Sequence, residues 1–195
     1  FLASVALDYH LRGTYWVVSH FHYVMVGGSV MALIGGLYYW FPKMTGRMYN
    51  ESMAKIHFIL SFIGFNLLYF PMYLLLDMPR RISTYSVESG WGTWNLWATV
   101  GGFLFGISQL LLFYNLFVSM RNGKSSGPNP WKAATLEWAV SSPPPIHNFD
   151  TIPVISGGTI NLKNGNGHQN EITQNNIDND SDDVHETHLS YWPVL

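Results

Sequence analysis

The sequence predicts an all-α membrane protein with three transmembrane helices, followed by a polar tail. Three observations carry that expectation. The hydrophobic share is 48% and the charged share only 11%, whereas ordinary globular domains are about 25% charged. No charged residue lies between Arg12 and Lys43, between Lys55 and Asp77, or between Glu88 and Arg121, and a helix needs ~20 apolar residues to cross a bilayer. The mean hydropathy is nevertheless only +0.09, because the polar residues gather in the C-terminal part. A net charge of -2 gives no basis for nucleic-acid binding, and the absence of cysteine removes disulfides, iron–sulfur clusters and thiolate sites from this chain.

Residues 1–13 are expected to form an extracytoplasmic lead-in. Phe1 opens directly onto Leu2-Ala3-Ser4-Val5, without a basic region or a small-residue cleavage pattern around an apolar core, so a signal peptide is not expected. Phe1 reads instead as an interior point of a longer polypeptide, or the start of one piece of a split one.

Residues 14–120 carry the three spans, at about 14–41, 54–76 and 92–120. In the first, Tyr15 and Trp16 mark one end and Tyr38, Tyr39 and Trp40 the other, as aromatic belts do at membrane interfaces. Its glycines Gly27, Gly28, Gly35 and Gly36 suit close helix contact. For the second, Asn50 is the expected N-cap with Glu51 in the first turn, and Pro71 is expected to kink it. The third begins with Trp91, Trp94 and Trp97 and carries Gly101, Gly102 and Gly106, taken as packing positions.

Residues 121–157 are expected to be a cytoplasmic segment and 158–195 a mostly disordered tail. Lys163 to Glu186 is rich in Asn, Asp and Gly, with almost no large apolar residues. His168, His185 and His188 are too irregularly spaced there to read as a metal tract, and the apolar end Leu189 to Leu195 suits an interface anchor or the start of a further span.

Lysines and arginines in short loops set orientation. Lys43, Arg47 and Lys55 lie in the first connection and Arg121, Lys124 and Lys132 after the third span, against Arg12, Arg80 and Arg81 on the opposite side. The balance places the first connection and the C-terminal part in the cytoplasm.

His20-Phe21-His22 is the sharpest chemical feature. Each helical residue turns by ~100°, so positions i and i+2 point about 200° apart. Two imidazoles so placed cannot grip one metal from one face, but can serve two sites on opposite sides of one helix. An imidazole in hydrocarbon needs protein, water or a ligand, and histidine is a common axial ligand of haem iron. Hydrogen bonds to neighbouring helices are the plainer alternative. On spacing alone, the expectation is two metal or haem sites flanking one helix. Arg80 and Arg81 follow Met78-Pro79 on the same side of the membrane. They read as a solvated loop pair or, more sharply, as an anion site, because guanidinium pairs with carboxylates through forked hydrogen bonds.

Thr14-Tyr15-Trp16-Val17-Val18-Ser19-His20-Phe21-His22-Tyr23-Val24 resembles the haem-binding helix of subunit I in the haem–copper oxidase superfamily, that of the cytochrome c oxidases. Further similar motifs follow in the family's order: Tyr39-Trp40-Phe41-Pro42, Ala54-Lys55-Ile56-His57-Phe58, Met78-Pro79-Arg80-Arg81, and Thr135-Leu136-Glu137-Trp138 through Ser142-Pro143-Pro144-Pro145-Ile146-His147. The resemblance covers roughly residues 7–155 and is nearest the bacterial branch.

It implies that the three spans are the last three of a twelve-helix subunit I bundle. It implies His20 as the proximal ligand of the high-spin haem at the oxygen-reducing centre, and His22 as an axial ligand of the low-spin haem. Phe21 falls near a short electron route between the two. It implies Arg80 and Arg81 as partners of haem propionates, and Asp8 as a carboxylate near the propionates of the high-spin haem. Two haems, of haem A type, are expected. So is a copper ion whose ligands lie outside this chain, as do the other low-spin ligand, the cross-linked tyrosine and the proton-channel residues. The expected partners are the rest of subunit I, subunits II and III, cytochrome c as electron donor, and the bilayer. A bacterial inner (cytoplasmic) membrane is the expected location, ahead of the mitochondrial one.

The implied function is reduction of oxygen to water with electrons from cytochrome c, coupled to proton translocation by the complete complex. A quinol oxidase of the same superfamily and a non-catalytic helical subunit are the alternatives. Many family members carry His-Asp before the threonine of this motif and bind magnesium there, but this chain has Arg12-Gly13. Magnesium needs oxygen ligands, so the ion is doubtful here. Arg12 is expected to supply positive charge in its place.

Overall fold

A computed structural model describes residues 2–133, 135–149, 154–156 and 159–161. Its helices are α1 (Val5–Leu11), α2 (Tyr15–His22), a π-helical stretch Tyr23–Val30, α3 (Met31–Thr45), α4 (Glu51–Tyr73), α5 (Trp91–Asn122) and the short α6 (Leu136–Ala139). Two three-residue strands, β1 (Val154–Ser156) and β2 (Thr159–Asn161), pair antiparallel, with Ile155 opposite Ile160. The tail beyond residue 161, with His168, His185, His188 and the apolar end, lies outside the described residues.

Three helices are long and apolar enough to cross a membrane: Tyr15–Thr45, Glu51–Tyr73 and Trp91–Asn122. Their boundaries differ from the sequence expectation for local reasons. The first span is one continuous helix of 31 residues in which α2, the π-helical stretch and α3 follow without a break. The second starts at Glu51 because the Asn50 side chain accepts the Met53 N–H at 3.0 Å, the capping arrangement expected of asparagine. It stops at Tyr73, short of the expected Leu76, with Pro71 inside its last turn. Proline removes a helical hydrogen bond, and here the Leu74 N–H bonds back to the Pro71 carbonyl at 3.0 Å as the helix closes. A short helix in the lead-in, α1, was not expected from the sequence.

The described residues form two compact units. One comprises the residues up to Tyr38 together with Tyr49–Gly123, the other Tyr39–Met48 together with the described residues from Lys124 onward.

In the first unit, α4 lies antiparallel to α5, and its later turns touch α2. Apolar attraction between helices is weak where the solvent is lipid, so close packing and polar contacts do the joining. Gly64 and Gly101 supply the close packing. A β-carbon on Gly101 would meet the backbone of Leu67 and Leu68, and one on Gly64 would lie 2.6 Å from the Phe105 nitrogen. Of the other glycines singled out, Gly27 approaches the Phe65 ring and Gly102 the Leu68 side chain, whereas Gly28 and Gly106 face open space.

Polar contacts join the same two helices to one side of this crossing. Ser61 and Ser108 share a hydrogen bond at 2.8 Å. Asn115, 1% exposed, accepts the Asn50 N–H at 3.1 Å and donates to the Asn50 carbonyl at 3.0 Å. Burial pushes the Tyr49 hydroxyl in the preceding loop up to about 12, with Glu51 adding to the effect, so the phenol stays neutral at physiological pH. Much apolar surface remains outward, including Phe62 at 60% and Phe103 at 71% exposure.

In the second unit, two of the family-like motifs meet. Trp138, 1% exposed, donates its indole N–H to the Tyr39 hydroxyl at 2.7 Å. Trp131 donates to the Tyr39 carbonyl at 2.9 Å, and Trp40 to Glu137 at 3.3 Å. Lys43 is buried, and among the described residues no carboxylate forms an ion pair with it. Its ammonium donates to the Val140 and Pro128 carbonyls at 2.6 and 3.2 Å and lies 5.0 Å from the Trp138 ring centre. Carbonyl dipoles and the aromatic face compensate a charge whose burial would otherwise be costly.

Candidate haem-binding site

The site is built on α2. Thr14 begins it, with its hydroxyl donating to the Leu11 carbonyl at 2.6 Å. Gly13 just before has φ +81, a left-handed conformation that glycine adopts without strain and that would strain an aspartate. This turn meets the loop after α4. The Tyr15 N–H donates to the Met78 carbonyl at 3.1 Å, and the Arg80 N–H to the Gly13 carbonyl at 2.9 Å, with Thr14 and Pro79 paired between them. Met78 and Leu75 are 1% and 0% exposed and anchor the loop.

Arg80 and Arg81 are therefore fastened to the end of the helix that carries His20 and His22. At ~1.5 Å per residue, His20 lies about 8 Å along α2 from Tyr15. Both arginines are exposed, and among the described residues neither guanidinium is in an ion pair. Asp8 is placed differently. It lies on α1, where its carboxylate pairs with Arg12 at 2.7 Å. Arg12 is thus engaged by Asp8 within one helical turn, an i,i+4 pair of modest strength because its arginine end is open to solvent.

The two imidazoles have different surroundings. His22 has its Nδ1 2.7 Å from the Val18 carbonyl. A carbonyl oxygen only accepts, so Nδ1 carries the proton and, in the neutral ring, Nε2 keeps its lone pair. This is the arrangement that orients an imidazole for metal ligation. One face of the His22 ring is stacked on Tyr69 of α4, with centroids 4.3 Å apart and 17° between planes. His20 is stacked on Trp16 of its own helix, at 5.7 Å and 9°. Neither ring nitrogen of His20 is hydrogen-bonded among the described residues.

Both histidines are half-buried, and their backbone positions send them to opposite sides of α2. Among the described residues, no three His, Cys, Asp or Glu side chains come together to hold a metal ion. A haem needs no such cluster, because the porphyrin supplies four nitrogens and the protein only an axial ligand. The orientation of His22, with a free Nε2 in an apolar span, fits that role.

Sequence reasoning missed the support around this pair. Ser19 is fully buried, and its hydroxyl donates to the Tyr69 carbonyl at 2.8 Å. Tyr23 donates to the Asn66 side-chain oxygen at 2.8 Å, and Tyr73 packs edge-on against Trp16. His57 stands within the Ala54–Phe58 motif. It is 2% exposed, with Nδ1 3.3 Å from the Tyr38 hydroxyl, while Nε2 is buried without a hydrogen bond among the described residues. Only a polar residue in an uncharged span signals such contacts in the sequence, and it does not name the partner.

The family model described as "Cytochrome C and Quinol oxidase polypeptide I" matches residues 1–104. The chain is 50% identical over 155 residues to the heme-copper oxidase subunit I+III of Aeropyrum pernix, covering 80% of this chain and 19% of that protein. It is 48% identical over 156 residues to cytochrome c oxidase subunit 1 of Synechocystis, covering 79% and 28%. It is also 44% identical over 159 residues to quinol oxidase subunit 1 of Bacillus subtilis, covering 79% and 24%. The chain thus spans between about a fifth and somewhat over a quarter of the length of these relatives.

Proposed function

The chain belongs to the cytochrome c and quinol oxidase polypeptide I family, and from that premise we propose that it is the C-terminal part of the catalytic subunit of a respiratory terminal oxidase. The complete subunit reduces oxygen to water with electrons from cytochrome c and translocates protons across a bacterial inner membrane. The observation that carries this reading is α2, with two imidazoles on opposite sides of a membrane helix and an arginine pair fastened to its end. His20 would hold the iron of the high-spin haem and His22 that of the low-spin haem, and Arg80 and Arg81 would meet the propionates. A bound haem supplies a reversible one-electron couple and, where its iron has an open position, an oxygen site.

The residues of this chain fix where those groups sit. Val18 and Tyr69 hold the His22 ring, and the backbone ladder between Gly13–Tyr15 and Met78–Arg80 holds the cationic loop near the same helix end. Asp8 meets the high-spin propionates less directly, because it is already paired with Arg12. Residues 1–13 form the extracytoplasmic lead-in, 14–120 the membrane part and 121–157 a cytoplasmic segment. The copper ligands lie on the rest of subunit I, and subunits II and III complete the complex.

A second reading is supported by two observations: a quinol oxidase subunit 1 matches at 44% identity, and Arg12-Gly13 replaces the acid-bearing motif. Oxygen uptake by the purified complex decides between them. Reduced cytochrome c is expected to sustain it; uptake with a quinol and none with cytochrome c would establish the alternative.

Replacing Arg80 or Arg81 by Gln is expected to lower a haem midpoint potential, because removing a nearby cation stabilises the more positive, oxidised state. At about 10 Å and an effective dielectric of about 20 the Coulomb term is about 1–2 kcal/mol, and solvent screening of these exposed side chains reduces it. Redox titrations that superimpose on wild type would remove the propionate assignment.

Growth in excess manganese is expected to give no bound-metal EPR signal from Arg12-Gly13, where no side-chain oxygen is offered and a guanidinium repels a divalent cation. A manganese signal that disappears on His10→Ala would show the site rebuilt from His10, a partner-subunit carboxylate and waters.

A further inference from the structure

We infer that Tyr69 is a positioning residue that fixes the ring plane of His22, on the proposed reading of His22 as the axial ligand of the low-spin haem. The terminal torsion of histidine is broad, and the hydrogen bond from Nδ1 to the Val18 carbonyl at 2.7 Å leaves the ring able to rock about that contact. The flat face of Tyr69, 4.3 Å away and inclined by only 17°, removes that freedom on one side. Phe21 approaches the other part of the ring at 4.3 Å and 32°.

Tyr69 can do this because it is itself held. Its carbonyl accepts the hydroxyl of the fully buried Ser19 at 2.8 Å, and its ring packs against Phe65 at 5.1 Å. Ser19 stands three residues before His22, so one residue of α4 grips α2 by its backbone and sets an imidazole of α2 with its ring.

His20 has no such support from α4, since its stacked neighbour Trp16 belongs to its own helix. The two histidines, two residues apart, are thus governed by different parts of the fold. The plane of an axial imidazole decides which iron orbitals its π system overlaps. Ring orientation therefore belongs with hydrogen bonding among the levers by which a protein tunes a haem. The Tyr69 hydroxyl takes no part in the stacking, so the role belongs to the aromatic face.

The test uses the complete oxidase complex and reads the low-spin haem by EPR and by redox titration. Tyr69→Leu is expected to displace and broaden the low-spin g values and shift its midpoint potential, with the CO-binding high-spin signal unchanged. Tyr69→Phe, which keeps the face, is expected to superimpose on wild type. If Tyr69→Leu does not assemble, Tyr69→Met, unbranched and adaptable and without a flat face, is read in its place with the same expectation. Low-spin g values and potential identical to wild type in the assembled Leu or Met variant would overturn the inference, as would a shift in Tyr69→Phe as large as in Tyr69→Leu. His22→Ala separates the two levels of argument. A low-spin signal that survives it removes the ligand assignment itself, whereas one lost in His22→Ala but untouched in the Tyr69 variants removes only the positioning role.

Discussion

His22→Ala is expected to abolish the low-spin haem absorbance of the complex, and His20→Ala the CO-binding high-spin signal, with oxygen uptake falling to background in both. The expectation follows from geometry. The two rings leave α2 about 200° apart, and their surroundings are separate, Tyr69 for one and Trp16 for the other. Removing one imidazole leaves the other with its own contacts, so the losses should be separable. His22→Ala also frees the Val18 carbonyl and leaves a gap beside Tyr69, but neither change severs the grip of Ser19 on α4. The protein should therefore still reach the membrane, as immunoblotting of membrane fractions would show. Reduced-minus-oxidised and CO-difference spectra read the two sites independently. If each single variant lost both spectra equally in fully assembled protein, or neither lost any, one helix could not be serving two sites.

Gly101→Leu is expected to prevent the folded complex from accumulating. The crossing of α4 and α5 is so close that even the first atom of a side chain at Gly101 would overlap the backbone of Leu67 and Leu68 and come within 2.9 Å of the Gly64 carbonyl. No rotamer relieves a β-carbon clash, and backbone cannot move aside as the end of a side chain can. Overpacking a core usually costs about 1–3 kcal/mol. A clash of helix against helix should exceed that, because it also strains the Ser61–Ser108 and Asn50–Asn115 contacts further along the same two helices. Gly106→Leu is the control, since that position faces open space. Membrane levels and thermal inactivation measure the difference. A Gly101→Leu complex that accumulates and melts like wild type would refute the close crossing.

The pattern of legibility follows from the range of each interaction. Asn50 as N-cap was readable because its partner, the Met53 N–H, lies three residues away. Pro71 announced a disturbance near the end of the second span, and the helix ends at Tyr73, two residues after it. Four glycines in the first span looked alike in sequence. The two with surroundings described, Gly27 and Gly28, differ: one meets Phe65 and the other nothing. The motifs around Tyr39 and Trp138 were visible separately, and only folding joins them through a 2.7 Å hydrogen bond.

The sequence by itself determined the membrane class, the number of spans and the opposite-facing histidines. Hydropathy and helical periodicity are properties of consecutive residues, and every helix in lipid must satisfy its backbone internally. It also singled out the arginine pair. Folding alone brings Arg80 to Gly13 and stacks Tyr69 on His22. Those contacts are between side chains and backbones brought together from different helices and loops. Their identity depends on helix rotation and register, quantities fixed by packing at Gly64 and Gly101 rather than by any local stretch of chain.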